Sequence, residues 1–493
     1  MRLAPLAVLA CTLFLALTGT ASADTTFTVT KEADTADGVC DSDCSLREAL
    51  AAADATPGND TVVVKPGHYV LSLGELAFGT SDEGLDIVGS SARDTIVDGN
   101  GQFRVMNIDD GNTTISHMTI TGGHVVGQGG GIFENDQVLT LDHVAVVNNI
   151  ALADTEGGFG GQGGGVFGNE PLTITNSLVA NNIADGTGAG FSGGQGGGIF
   201  GNEPLHMTNV TVSNNTATPG DPAATFPHSQ GGGIFVNEQD TDFKHVTITG
   251  NKSTDSEPSG GLFLNDDVTF ANSIVAGNTT NGAPGDCENN SNTITELGRN
   301  LTISSDGCFT APGDITGDPL LGGLADNGGE TDTHALLTGS PAFNTADAAQ
   351  CTATDQRDLP RPALGGCDIG AFEVQAPPAA LPAPAPAKDT TKPKVAVAGV
   401  RRACVSRSLT VRITATDASG VKSVRVTLDG KRLKSGKSRV SVRINVRKLK
   451  AGRHTLRITT TDAAGNTTVT RRTIAKCAAA PKPRRQAAPR FTG

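Results

Sequence analysis

The sequence predicts an all-β protein whose main body is a right-handed parallel β-helix, and two patterns carry this prediction. QGGGIFEND at 128–136 returns as QGGGVFGNE at 162–170, QGGGIFGNE at 195–203, QGGGIFVNE at 230–238 and SGGLFLNDD at 259–267. Each copy is followed by a short apolar/polar alternation, which has the period of a β-strand. Self-similarity at a nearly fixed period indicates stacked coils, one coil per repeat.

Within each repeat we expect three short strands separated by Gly or Asn turns, and an insertion expelled from one corner of the coil. The insertions cover residues 151–161, 184–194 and 217–229, so they should share one face of the solenoid. Each contains one phenylalanine: Phe159, Phe191 and Phe226. We interpret this face as the candidate recognition surface, with the three rings as a small apolar ridge.

Aligning the repeats places asparagines in two columns, which stacking would turn into ladders of hydrogen-bonded side-chain amides. The first column is Asn135, Asn169, Asn202, Asn237 and Asn265, and the second is Asn149, Asn182, Asn215, Asn251 and Asn278. In a third column His117, His143 and His245 stand where other repeats have Asn176, Asn209 and Asn272. This alternation with Asn indicates turn residues rather than metal ligands.

A column of carboxylates follows the first Asn column, one per coil: Asp136, Glu170, Glu203, Glu238 and Asp266. Stacked acidic oxygens could hold Ca²⁺, which prefers several hard oxygen ligands. The other interpretation is a solvated outer turn in which water screens the charges. The lack of a recognised calcium-loop motif favours the solvated turn, so the sequence implies no cofactor and leaves calcium as the one candidate ion.

Residues 24–85 are predicted to form an N-terminal cap with the first strands, because a solenoid must cover its open end. Ser45 and Glu48 match a capping box, and Leu46, Ala49, Leu50 and Ala53 give an apolar helical stripe. The β-helix repeats should occupy 86–310, and a second cap 311–374.

Export is predicted from residues 1–23, which combine a basic start, an apolar core and the small-residue site Ala21-Ser22-Ala23. A lipoprotein signal at V-L-A-C (8–11) is the weaker alternative, since apolar sequence continues past Cys11. Eight cysteines remain, and proximity along the chain suggests the pairs Cys40–Cys44, Cys287–Cys308, Cys351–Cys367 and Cys404–Cys477. No later stretch is long and apolar enough for a transmembrane helix.

The charge divides the chain into two parts. Residues 389–493 contain 26 Lys and Arg against four Asp and no Glu, a net charge of +22, whereas residues 1–388 carry −35. An Ala/Pro linker at 375–388 separates the two parts. Alternating runs at 389–477 with a turn signal at Asp429-Gly430 predict a small β-sandwich, followed by a basic disordered tail at 478–493.

Two motifs carry a family resemblance. CSLREALAAAD with PGNDTVVV resembles the CSLREA motif of secreted bacterial β-helix proteins, and GDPLLGGLADNGGETDTHALLTGSPAFN…GGCDIGAFE resembles the choice-of-anchor Q segment. TATDASGV and TTTDAAGN resemble bacterial Ig-like modules. The resemblance implies the fold and an exported location, and it brings no catalytic residues.

The sequence offers little of the chemistry that a carbohydrate-cleaving β-helix needs. A polysaccharide lyase needs an Arg or Lys base beside acidic ligands, and a hydrolase of the polygalacturonase type resembles N-T-D, D-D, H-G and R-I-K motifs. Of the hydrolase motifs, only the adjacent acids occur, as Asp109-Asp110 and Asp266-Asp267. Paired carboxylates can hydrolyse glycosides, but two adjacent acids are weak evidence in a chain with so many acidic residues. The sequence therefore favours a structural, adhesive or ligand-binding scaffold, possible glycan binding included. A lyase or hydrolase acting on an acidic glycan remains the alternative, so catalysis stays undecided.

The basic part could in principle bind nucleic acid. In an exported protein we instead expect it to bind anionic cell-wall polymers or matrix, and we expect no nucleic-acid partner.

Overall fold

A computed structural model describes residues 24–79, 84–154, 160–188, 190, 192–238, 240–255, 259–303, 308–376 and 389–478. The chain divides into two compact units between Ala376 and Pro377. The predicted signal peptide, Phe159 and Phe191, most of the linker and nearly all of the tail lie outside the described residues. Among those residues, none of the helices is long and apolar enough to span a membrane.

The first unit is a parallel β-helix in which successive coils pair strand by strand, as predicted. The first sheet has the strands Thr26–Thr28, Asp60–Val63, Gly84–Val88, Asn112–Ser116, Leu139–Asp142, Leu172–Thr175, Leu205–Thr208, Thr241–Lys244, Val268–Ala271 and Ile294–Glu296. The second has Gly67–Val70, Thr95–Asp98, Thr119–Thr121, Ala145–Val147, Leu178–Ala180, Thr211–Ser213, Thr247–Thr249, Ile274–Val275, Leu301–Thr302 and Ile315–Thr316.

Two further sheets complete the coils. The third has Leu76–Phe78, Met106–Ile108, Ile132–Glu134, Val166–Gly168, Ile199–Gly201, Ile234–Val236, Leu262–Leu264 and Cys287–Asn289. The fourth has His124–Val126, Ile150–Leu152, Ile183–Ala184, Thr216–Ala217, Lys252–Ser253 and Thr279–Thr280, with Ala283–Pro284 added antiparallel at its end.

The prediction of three strands per coil was wrong, because a repeat such as 132–152 contributes one strand to each of four sheets. The fourth strand follows the second Asn column and is only two or three residues long, so its alternation is too short to read in sequence. The insertions leave the coil after this strand, as the strand order shows.

The coils approach each other closely at the triple glycines. A Cβ added to Gly164 would lie 2.3 Å from the carbonyl oxygen of Gly197 on the next coil. Inside the coils, residues such as Ile132, Leu139 and Val146 are fully or almost fully buried and form one continuous core along the solenoid. The repeated Gly run is thus a packing requirement of the stack rather than a phosphate-binding loop.

The predicted N-terminal helix spans Leu46–Asp54 and buries Leu46, Ala49, Leu50 and Ala53 against the first coil. Its capping box is present: Ser45 Oγ accepts from the Glu48 backbone N–H, and Glu48 accepts from the Ser45 N–H at 2.8 Å. At the other end of the solenoid, Phe309 is buried on Phe270, beside the disulfide Cys287–Cys308.

Residues 318–376, which we call the lateral segment, correct the prediction of a C-terminal end cap at 311–374. The hairpin Leu321–Ala325 and Thr333–Leu336 runs back along the outside of the second sheet. Its tip reaches an early coil, where the Glu330 carboxylate accepts from the Ala92 N–H at 3.0 Å. A second pass, which includes the 3₁₀-turn Ala348–Gln350, again contacts coils from Asn272 back to His143.

One physical reason for this side-on position is an apolar patch on the outer face of the second sheet. Leu178, Val179 and Ala180 are all buried, so this strand has no polar side. Leu324 covers Ala145, Leu178 and Ala180 from outside the coil. A strand that is apolar on both faces requires a second layer, and the lateral segment supplies it.

The second unit is the predicted β-sandwich. One antiparallel sheet contains Lys394–Ala398, Leu409–Thr416 and Arg439–Ile444, and the other contains Lys431–Gly436, Val421–Leu428, Gly452–Asp462 and Thr467–Lys476, with a 3₁₀-turn at Val446–Lys448. Asp429 and Gly430 both have positive φ at the predicted hairpin turn.

All four predicted disulfides are formed: Cys40–Cys44, Cys287–Cys308, Cys351–Cys367 and Cys404–Cys477.

Candidate functional site

The first Asn column lies half-exposed along the outer edge of the third sheet. Asn202 donates to Asn169 at 3.1 Å, Asn237 to Asn202 at 2.9 Å and Asn265 to Asn237 at 3.0 Å. Asn169 donates instead to the backbone carbonyl of Asn135. Asn290, which the repeats do not predict, continues the series by donating to Asn265.

The second Asn column is buried at the turn between the second and fourth sheets. From Asn182 onward, each amide accepts from the backbone N–H and Nδ2 of its neighbour on the preceding coil, as Asn215 does from Asn182 at 2.9 and 3.0 Å. The series ends at Asp286, whose carboxylate accepts from Asn278. Burial raises the pKa of Asp286, against hydrogen bonds that favour the ionised form.

The third column contains the tight turns between the first and second sheets. All of its members have φ between 49° and 57°: His117, His143, Asn176, Asn209, His245 and Asn272. The two first histidines are stacked with centroids 5.0 Å apart, and each contacts a carboxylate of the lateral segment, Glu330 and Asp358 respectively. These histidines therefore hold the lateral segment in place.

Two more ladders were missed by the sequence reasoning. The side chains of Gln128, Gln162, Gln195 and Gln230 are hydrogen-bonded in series at 2.6–2.8 Å. The rings of Phe133, Phe167, Phe200, Phe235 and Phe263 stack at 4.7–5.3 Å. Gln and Phe recur at the first and last positions of QGGGIF, so the repeat alignment could have predicted both ladders. Four of these rings are only 4–6 % exposed, so the stack is packing rather than a sugar-binding platform.

The carboxylate column lies at an outer turn, with Asp136 exposed and Glu170, Glu203, Glu238 and Asp266 half-buried. Within the described residues, three or more potential ligand atoms approach to within 4.8 Å at two places only, and neither contains a member of this column. Glu134, two residues before Asp136, is buried and accepts from the Glu170 N–H at 3.0 Å. Burial raises the pKa of Glu134 to about 7.

One of those two places is His117, Asp142 and His143, where the side chains already pair with one another and with the lateral segment. The other is Asp389, Asp417 and Asp462 in the second unit. The repeats place His117 and His143 in one column, with Asp142 next to His143, but they give no sign of the second cluster, which chain folding assembles.

A concave surface of about 330 Å³ on the early coils brings together Glu75, Phe103, Arg104 and His124. The guanidinium of Arg104 pairs with Glu75 at 2.8 Å, donates to the carbonyl of Gln128 and lies over the Phe133 ring. The guanidinium of Arg104 is engaged by all three contacts, so Arg104 does not resemble the free base of a lyase.

The predicted apolar ridge is represented by Phe226 alone, since Phe159 and Phe191 lie outside the described residues. Phe226 is 65 % exposed, and its carbonyl accepts from the Gly193 N–H of the neighbouring insertion at 2.8 Å. This hydrogen bond places two insertions side by side.

The β-sandwich carries exposed arginines on strands of both sheets. In the strand Leu409–Thr416 buried Val411, Ile413 and Ala415 alternate with exposed residues that include Arg412. On the other sheet Arg457 lies directly opposite Arg471, and Arg425 is a diagonal neighbour. Residues 400–458 match a bacterial Ig domain.

That match lies within the Ig-like unit and leaves the β-helix without a family assignment. Comparisons with curated proteins and with solved structures give no match. Bacterial Ig domains are typical of surface or extracellular proteins. The resemblance of the β-helix to CSLREA and choice-of-anchor Q proteins thus rests on the quoted motifs.

Proposed function

We propose that this protein is an exported scaffold that associates with the cell surface, in which the β-helix is the structural or adhesive body and the Ig-like unit binds anionic cell-wall polymers. The observation that carries the proposal is the distribution of charge on the Ig-like unit. Exposed strand positions on both sheets bear Arg and Lys, whereas its four aspartates lie in loops or at a strand end.

The pairing of Arg457 with Arg471 supports an anionic partner. Like charges directly opposite each other in a sheet repel, and Arg425 adds a third positive charge beside them. The surrounding side chains are Ser423, Thr427, Thr455, Thr459 and neighbouring hydroxyl residues. A polyanion relieves the repulsion and offers acceptors to both guanidinium and hydroxyl groups.

A polymer fits this surface better than a single small anion. The positive charges are spread along strands of both sheets rather than converging on one pocket. Binding of this kind depends on many weak contacts near a charged surface, each worth about 1 kcal/mol, and falls steeply with salt.

The test uses the full-length mature protein and purified bacterial cell walls, either intact or stripped of their anionic polymers. We expect retention on intact walls and no retention on stripped walls. We also expect release in 1 M NaCl, because a Debye length of about 3 Å screens the attraction between the charges. The triple variant R425Q/R457Q/R471Q should bind about 100-fold more weakly, from three lost contacts.

The matched control is K244Q/K252Q/R299Q, which removes three positive charges from the β-helix instead. Equal weakening in both triple variants, or retention on stripped walls, would contradict the proposal. Assaying the same incubations for new reducing ends or unsaturated sugars tests the enzymatic alternative, and their appearance would favour it.

A further inference from the structure

Three of the four acidic residues of the Ig-like unit converge on one point. Asp389, Asp417 and Asp462 each bring a carboxylate oxygen within 4.8 Å of the others. The fourth, Asp429, lies elsewhere and pairs with His454 at 2.6 Å. In a region with 26 Lys and Arg, the described residues show no ion pair between a cationic side chain and any of the three.

The fold places these aspartates together at one end of the sandwich. Asp389 precedes the strand Lys394–Ala398, Asp417 follows Leu409–Thr416, and Lys394 pairs with Thr416. Asp462 ends the strand Gly452–Asp462 and pairs with Val421, just beyond the loop of Asp417. Residues far apart in sequence therefore meet in three adjacent loops.

The loops are held in this arrangement by backbone contacts. Asn466 Nδ2 donates to the carbonyls of Asp389 and Thr391 at 2.9 and 3.1 Å. The Ala463 N–H donates to the Gly420 carbonyl at 2.8 Å. The carboxylates thus face one another without relying on their own mutual contacts.

The second, independent observation is that two of these carboxylates have a buried oxygen with no partner. In Asp462, which is fully buried, Oδ1 accepts from the Asn466 N–H at 2.7 Å while Oδ2 accepts from nothing. In Asp389, Oδ1 accepts from the Thr391 N–H at 2.8 Å and Oδ2 is likewise buried and unpartnered. Asp417 Oδ1 accepts from the Ser419 N–H and Oγ.

Such an arrangement is costly for the protein alone. A buried polar atom without a partner destabilises the fold, and a buried carboxylate beside like charges does so more strongly. A cation at the common point would supply the missing partner to both Oδ2 atoms and cancel the repulsion.

We propose that Asp389, Asp417 and Asp462 form a Ca²⁺ site of the Ig-like unit. The ligands are all hard oxygens, and Ca²⁺ binds these at about 2.3–2.6 Å, so two opposite ligands can be about 4.8 Å apart. Mg²⁺ needs a smaller octahedron and usually keeps several waters, whereas here three carboxylates converge from separate parts of the chain.

Bound Ca²⁺ would tie the start of the Ig-like unit, at Asp389, to the loops that close both of its sheets. The disulfide Cys404–Cys477 lies after the last strand, Thr467–Lys476, and so ties the opposite end. The sandwich would then be fastened at both ends, which extends the proposed function by making the wall-binding unit calcium-dependent in stability.

The test is calorimetric titration of CaCl₂ into the full-length mature protein after chelator treatment, with the thermal unfolding of the Ig-like unit followed in parallel. We expect one Ca²⁺ per chain at this site and an unfolding transition of the Ig-like unit that moves upward with Ca²⁺. D417N should bind Ca²⁺ at least tenfold more weakly while keeping the fold, since its Oδ1 contacts are in an exposed loop.

D429N is the matched control, because it removes the one aspartate of this unit outside the cluster, and E170Q/E203Q/E238Q tests the carboxylate column of the β-helix. The proposal is overturned if the wild type gives no heat, if D417N binds as the wild type does, or if binding is lost only in the column variant. Equal affinity for Mg²⁺ would overturn the assignment to Ca²⁺.

Discussion

His143 of the β-helix and Asp358 of the lateral segment form an ion pair, with Nε2 2.8 Å from Oδ2, although 215 residues separate them. The other ring nitrogen, Nδ1, lies 3.0 Å from Asp142, and the ring stacks on His117, which contacts Glu330. The hydrogen bond to Asp142, and then Asp358, raise the pKa of His143 to about 9 against the opposing effect of burial.

This pKa predicts a pH dependence of stability. Because the folded-state value exceeds the ordinary 6.5, the contribution of His143 is fully present below about pH 6.5 and is lost as pH rises through about 9. The thermal midpoint of the β-helix should therefore fall between pH 6.5 and 9.5. Circular dichroism of D358N should show a smaller fall, because one of the two partners is gone.

D136N removes an exposed negative charge away from His143 and serves as the control for that experiment. A fall of the same size in the wild type and D358N would show that the Asp358 pair does not contribute.

Glu48 is predicted to stabilise the N-terminal cap rather than to react with a substrate. Burial raises its pKa, but hydrogen bonds from Ser45, Asp37 and Thr35 outweigh burial and lower the pKa to about 2. The depressed pKa means that its contribution is present above about pH 4.5 and is lost as pH falls through about 2. E48Q should destabilise the unit by about 2 kcal/mol and S45A by about 1 kcal/mol in denaturant unfolding.

The acid limb of the stability curve distinguishes the two variants. E48Q should unfold with a weaker dependence on pH between 4.5 and 2, whereas S45A should keep the wild-type dependence. Normal stability of E48Q would argue against this structural role.

The buried Asn ladder should contribute more than the outer one. N215A removes contacts to Asn182, Asn251 and the Val179 carbonyl in a fully buried turn, and should cost about 2–4 kcal/mol. N202A, from the same coil, removes half-exposed contacts to Asn169 and Asn237 and should cost about 1 kcal/mol or less. Equal costs in chemical denaturation would contradict the distinction between the ladders.

The lateral segment contains a buried ion pair that should be sensitive to the loss of one partner. Arg361 Nη1 lies 3.0 Å from Glu373 Oε2, and both side chains are fully buried. R361M leaves Glu373 buried without its cation and should destabilise the first unit by about 3–5 kcal/mol. R93Q breaks the exposed pairs with Asp326 and Asp332 and should cost at most about 1 kcal/mol.

Unfolding of the two Arg variants can be followed by protection of second-sheet amides against hydrogen exchange. If R361M exposes none of these amides faster than R93Q does, the ion pair does not hold the lateral segment on the coil.

The features of this protein that repeat or are local can be predicted from its sequence. The QGGGIF period predicted the stacked coils, the aligned asparagines predicted the two series of amides, and Ser45 with Glu48 predicted the start of the helix. The cysteine pairs were also predictable, since each disulfide joins two cysteines that are consecutive in the sequence. Such patterns are set by periodicity and by contacts over a few residues or between equivalent positions.

The features that join unlike parts of the chain become visible only in the folded molecule. The contact of Glu330 with Ala92 spans 238 residues, and no repeat relates the two. The lateral segment lies beside the second sheet because Leu178 and Ala180 need an apolar cover, and Asp389, Asp417 and Asp462 meet because three strands end together. Burial and charge at these places depend on which surfaces come into contact, which a periodic pattern does not specify.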